Sequence, residues 1–125
     1  MTSEATHDQS FRIERHGEVA VVIPSAKVEE MHEALIEQAA KLVISSLKED
    51  PPGGIVIDLS QVNYVGSVFV SFLLRCHMLV KKHGSEVVLA GASDRVKELL
   101  HLTALDTLWA LYDTRPEALE ALGSD

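Results

Sequence analysis

The most constraining feature of this chain is the run Ile55-Val56-Ile57-Asp58-Leu59, which is apolar almost throughout and lacks the alternation of a half-exposed strand. A strand of this kind is buried on both faces, and such strands belong to parallel sheets covered by their crossover helices. A second run of the same type spans Glu86 to Ala90. The stretch between them, from Ser67 to His83-Gly84, has the length of one crossover helix.

The flanking segments extend this pattern. Phe11-Arg12-Ile13-Glu14-Arg15 alternates, His16-Gly17 interrupts, and Glu18 to Ile23 is β-branched, so the segment reads as a hairpin turning near Gly17 and ended by Pro24-Ser25. From Val28 the period changes. Val28, Met31, Leu35, Ala39, Leu42 and Val43 recur at helical steps, with Glu29, Glu30, Glu33 and Lys41 between them. Asp50-Pro51-Pro52-Gly53-Gly54 stops this first helix. Ser93-Asp94 caps a third helix carrying Val96, Leu99 and Leu100; Leu108 to Tyr112 reads as a last strand, and Pro116 opens a terminal helix. The order β-β-α-β-α-β-α-β-α predicts an α/β fold: one domain over residues 11–122, with a small mixed, mostly parallel sheet, an N-terminal hairpin and four helices. Residues 1–10 read as a disordered lead.

Composition excludes several functions. A net charge of −8 argues against a nucleic-acid binder and disfavours an anionic membrane surface. No apolar run approaches the roughly 20 residues that cross a bilayer, and the polar N-terminus has no export signal, so the expected location is the cytoplasm. The lone Cys76 excludes an internal disulfide and a multi-cysteine zinc site, and it fits a reducing compartment. With aromatics at 5% of residues, the core must be mostly Val, Leu, Ile and Ala.

The segment from Ile55 to Gly91 carries further information. Asp58-Leu59-Ser60, Tyr64-Val65-Gly66-Ser67, Lys81-Lys82-His83-Gly84, Val87-Val88-Leu89 and Leu102-Thr103-Ala104-Leu105-Asp106 occur in this order. Together they resemble the STAS family, which includes bacterial anti-sigma-factor antagonists and the cytoplasmic tails of sulfate transporters. The resemblance implies a non-enzymatic module that binds a protein partner. Ser67 aligns with the serine phosphorylated in the regulated antagonists. The chain departs from the family pattern at Gly66, where the family has Asp, at Val68-Phe69, where it has Ser-Gly, and at Pro24-Ser25-Ala26-Lys27, where it has Gly-Glu-Leu-Asp. These departures bear on phosphoregulation more than on fold.

A serine at a helix start has two readings: an N-cap, or a phosphorylation site in a place that tolerates an anion. The helical wheel separates a core face, Phe69, Phe72, Leu73, Cys76, Leu79 and Val80, from an opposite stripe of Ser67, Ser71, Leu74 and Met78. With Gly66, that stripe is the candidate partner-binding face, unless another helix covers it. No catalytic or metal-binding residue is expected. The six histidines lack ligand spacing, no phosphate-binding glycine loop occurs, and Ser67 lacks a nucleophile elbow. No cofactor is expected, since any ATP would belong to the partner. Under the first reading that partner is a kinase-like anti-sigma factor, which is also the serine kinase. Under the second, the chain is a constitutive subunit of a stress-signalling or membrane transport assembly. Both readings are compatible with a homodimer.

Overall fold

The structure, a computed structural model, describes residues 5–6 and 10–123. Among these residues, six strands form one sheet in sequential order: β1 (Ala5–Thr6), β2 (Phe11–His16), β3 (Val19–Pro24), β4 (Gly54–Asp58), β5 (Val87–Ala90) and β6 (Ala110–Tyr112). The first two pairings are antiparallel and the last three parallel, so the sheet is mixed, as the strand order predicts. Four α-helices accompany it: α1 (Glu33–Glu49), α2 (Ser67–Lys81), α3 (Asp94–Leu102) and α4 (Arg115–Ala121).

The register shows why the central strands are apolar throughout. Ala20, Ile55 and Val87 align across β3, β4 and β5, as do Val22, Ile57 and Leu89; these face α1, α2 and α3 in the larger core. Val21, Val56 and Val88 align on the opposite face, where they meet Ala118 and Leu119 of α4. Strands with helices on both sides have no polar face to alternate. Outside the sheet's centre, the buried Trp109 precedes β6 and donates its indole N–H to His77 Nδ1 of α2 at 3.3 Å.

The lead expected over residues 1–10 lies mostly outside the described residues. Within it, Ala5–Thr6 pairs with β2, and the carbonyl of the buried Ser10 accepts from Ser25 N at 2.7 Å.

The first helix differs from its sequence reading. Val28 lies in a separate 3-10 turn, Ala26–Glu30, and α1 begins only at Glu33. The buried face of α1 is Ile36, Ala39, Ala40, Val43, Ile44 and Leu47, whereas Leu35 and Leu42 are 47% and 50% exposed. Val28 and Met31 gave the wrong phase because they precede the helix and do not share its axis. Leu42→Gln is therefore expected to change the unfolding free energy by no more than about 0.5 kcal/mol. Leu47→Ala should cost about 2–5 kcal/mol by urea denaturation. Equal costs would contradict this assignment of faces.

Candidate partner-binding site at the start of α2

The site begins where β4 ends. Asp58 is buried, and it accepts from Ser60 N at 2.9 Å and from Arg115 Nε at 2.9 Å. Arg115 opens α4, and its other reach is to Glu14 Oε1 of β2 at 3.3 Å. Three elements distant in sequence are thus tied at one end of the sheet. Burial pushes the Asp58 carboxyl up, but hydrogen bonds from Ser60 and the Arg115 guanidinium outweigh it and hold the group below its ordinary value. Glu14 is likewise lowered: burial opposes ionisation, and hydrogen bonds from His16 and Arg12 with the charge of Arg115 overcome it. Asp58 was readable as a strand-end polar group; its partner Arg115 had no sequence signal.

The loop from Leu59 to Gly66 is held by apolar residues at every third position. Leu59, Val62 and Val65 are buried, while Ser60, Gln61, Asn63 and Tyr64 are exposed. Gly91, at φ +72, closes the turn after β5; a Cβ there would stand 3.1 Å from Ser60 Cβ and 3.3 Å from Asp58 Oδ1. The close approach and the left-handed backbone both require glycine.

This loop delivers Gly66 in an extended conformation, φ −93 and ψ 177, and Gly66 is the N-cap of α2. Its carbonyl accepts from Val70 N at 2.9 Å, and no side chain caps the helix. The N-cap reading of Ser67 is therefore corrected, because Ser67 is the first residue inside the helix and is exposed. A Cβ at position 66 would lie 3.3 Å from the Tyr64 ring, which is 53% exposed and covers this glycine. The first turn of α2 holds no acidic residue.

The two faces of α2 separate as the wheel predicts. Phe69, Phe72, Leu73, Cys76 and Val80 are buried, with Leu79 partly so. Phe69 and Phe72 form a ring cluster with Phe11 of β2, at centroid distances of 6.4, 5.1 and 6.0 Å, which pins the helix start to the sheet. Burial pushes the Cys76 thiol up to about 12, so it is a core group and not a nucleophile. On the opposite side Ser67 and Ser71 are exposed, Leu74 is 38% exposed and Met78 60%. Among the described residues, no other element buries them.

A furrow between α1 and α2 runs beside this stripe as three adjoining hollows. The first, about 250 Å³, lies among Met31, Glu33, Ile36, Tyr64 and Ser67. The second, about 200 Å³, shares Ser67 and Val68 with it and adds Glu37, Ser71 and Arg75. The third, about 330 Å³, shares Ser71 and Arg75 and ends at Lys48 and Lys82. The α1 side of this furrow was missed in the sequence, because the misphased helix hid which residues face α2. Among the described residues no group of three His, Cys, Asp or Glu side chains could hold a metal ion, and no helix is long and apolar enough to cross a membrane.

The family model of the STAS domain matches residues 11–118. The chain belongs to the STAS domain family. This STAS domain is similar to an anti-sigma-factor antagonist (STAS) domain protein from Planctomyces limnophilus, at 29% identity and a TM-score of 0.78, over 91% of this chain and 98% of that one. It is also similar to an anti-sigma factor antagonist from Mycobacterium paratuberculosis, at 27% identity and a TM-score of 0.67, over 99% and 96% of the two chains. A chain of the stressosome shares the fold at 21% identity and a TM-score of 0.71, over 89% and 95%.

The ion network of this STAS domain makes a pH-dependent prediction. Both carboxyls are lowered in the fold, so their contribution is present above the unfolded values near 4 and lost as pH falls through the lower folded values. Arg115→Met should cost about 2 kcal/mol at pH 7, between the values for exposed and buried pairs. In urea unfolding across pH 7 to 2, the gap from wild type should narrow below pH 4. A gap independent of pH would contradict the network.

Proposed function

We propose that this STAS domain is an anti-sigma-factor-antagonist-like regulator in the bacterial cytoplasm. It docks a kinase-like anti-sigma factor on the face formed by Gly66, Ser67, Ser71, Leu74 and Met78, and phosphate on Ser67 weakens that docking. The observation that carries the reading is the position of Ser67, exposed at the first turn of α2 with the capping place taken by Gly66. A hydroxyl without a capping role is open to modification.

The physics of the position supports a switch. The uncapped N-terminus leaves backbone N–H groups and the positive end of the dipole near Ser67, so the helix tolerates an added anion. A phosphate adds roughly 1.5–2 negative charges. Glu33 and Glu37 line the same hollows as Ser67, and their charges add to it. The change therefore acts on the docked partner rather than on the fold.

A second reading, a constitutive subunit of a stress-signalling or membrane transport assembly, draws on one observation. Gly66 and Val68-Phe69 leave the serine without an acidic neighbour in its helical turn, so a kinase has fewer contacts there.

The test is to purify the protein with its partner from the native source, map phosphosites by mass spectrometry, and measure the affinity of Ser67 variants. Ser67→Asp is expected to weaken partner binding roughly tenfold or more, about 1.4 kcal/mol. Ser67→Ala should bind nearly as wild type. Asp at this position is favourable to the helix by about 0.3–1 kcal/mol, so lost binding would not reflect unfolding. An unmodified Ser67 across growth and stress conditions, with Ser67→Asp binding unchanged, would favour the assembly subunit.

A further inference from the structure

The furrow changes character along its length. Near Ser67 the one charged residue of the first hollow is Glu33; the second is mixed, with Glu37, paired with Lys41 at 3.7 Å, and Arg75. Below Ser71 the sign reverses. The third hollow has apolar walls from Ile44, Leu74, Met78 and Leu79, and every charged residue lining it is a cation: Lys48, Arg75 and Lys82. Among the described residues, none of the three makes an ion pair.

Helix dipoles account for part of this charge. Lys48 lies in the last turn of α1 and Lys82 caps the C-terminus of α2, and each helix end carries about half a negative charge. Two half-charges against three cations leave the hollow positive. Arg75 sits mid-helix and offsets no dipole. On a chain of net charge −8, three unpaired cations around an apolar hollow form a local reversal of sign.

We infer that the lower furrow, around Lys48, Arg75, Leu74, Met78 and Lys82, receives an acidic amphipathic helix of the partner protein. Its apolar side chains fill the hollow between Ile44 and Met78, and its carboxylates meet the three cations. The span from Ser67 to Lys82 is about 22 Å at 1.5 Å per residue, which suits a helix of about four turns. The sign change also sets direction: the acidic end of the docked helix lies at Lys82, away from Glu33 and Ser67. Unlike charges at the Lys82 end raise the encounter rate, and the like charge of Glu33 disfavours the reversed orientation. The inference rests on the docking reading of the α2 face and adds the chemistry of what docks there.

The test is a selection from a display library of random peptides of about 16 residues, against the full chain and against the triple variant Lys48→Glu/Arg75→Glu/Lys82→Glu. Retained urea stability would show that the variant is folded. The wild type is expected to select peptides with apolar residues at helical spacing and Asp or Glu clustered at one end. A selected peptide should bind the triple variant at least tenfold more weakly by fluorescence anisotropy, and should weaken in about 0.5 M salt. Selected peptides without acidic bias, affinity indifferent to the triple reversal, or no selected peptide would each overturn the inference. Failure to select a peptide, combined with phosphatidylserine vesicles that bind wild type and not the variant, would overturn it in favour of a membrane surface. If Ser67→Asp releases the native partner while the triple variant retains it, the inference fails and the docking reading stands.

Discussion

Burial of β3, β4 and β5 on both faces is the constraint on which the rest of this structure depends. Val21, Val56 and Val88 need cover on one side, and Ile55, Ile57 and Leu89 on the other. Three helices supply the second face, and the short α4 supplies the first. A seven-residue helix contributes little by its own propensity, so it relies on docking. The capping box between Thr114 and Glu117 starts it, and Arg115 anchors it to Asp58 and Glu14. The ion network is thus the hinge pin of the smaller layer.

The same construction determines how α2 is presented. Its apolar face and the Phe11–Phe69–Phe72 cluster hold it on the sheet, which leaves the opposite side free of any structural duty. The buried residues Leu59, Val62 and Val65 fix the loop that feeds it, so the position of Ser67 does not depend on a bond made by Ser67 itself. A residue placed by its neighbours in this way can change its chemistry without changing the fold. Gly66 completes the arrangement by capping through its backbone alone.

Much of this was legible in the sequence, for reasons that differ by element. The two-faced strands and the division of α2 into core and exposed sides follow from unbroken periodicity, which survives any error of a residue at the ends. The phase of α1 was not legible, because the 3-10 turn at Val28 and the helix starting at Glu33 look like one continuous pattern. That error hid the furrow, since Lys48 faces Arg75 and Lys82 only in the true phase. The cap of α2 turned on the backbone angles of Gly66, which a sequence does not display. Arg115 and Asp58 are 57 residues apart, and no local pattern joins them.

The central claim is that the exposed side of α2 is where this STAS domain meets its protein partner. Hydrogen–deuterium exchange of the purified complex against the free domain tests it most directly, because exchange reports cover residue by residue without altering any side chain. The account predicts partner-induced protection over residues 64–78 and along the facing surface of α1, with α4 and β6 unchanged. Protection confined to α4, β6 or the sheet edge, with α2 exchanging as in the free domain, would contradict it.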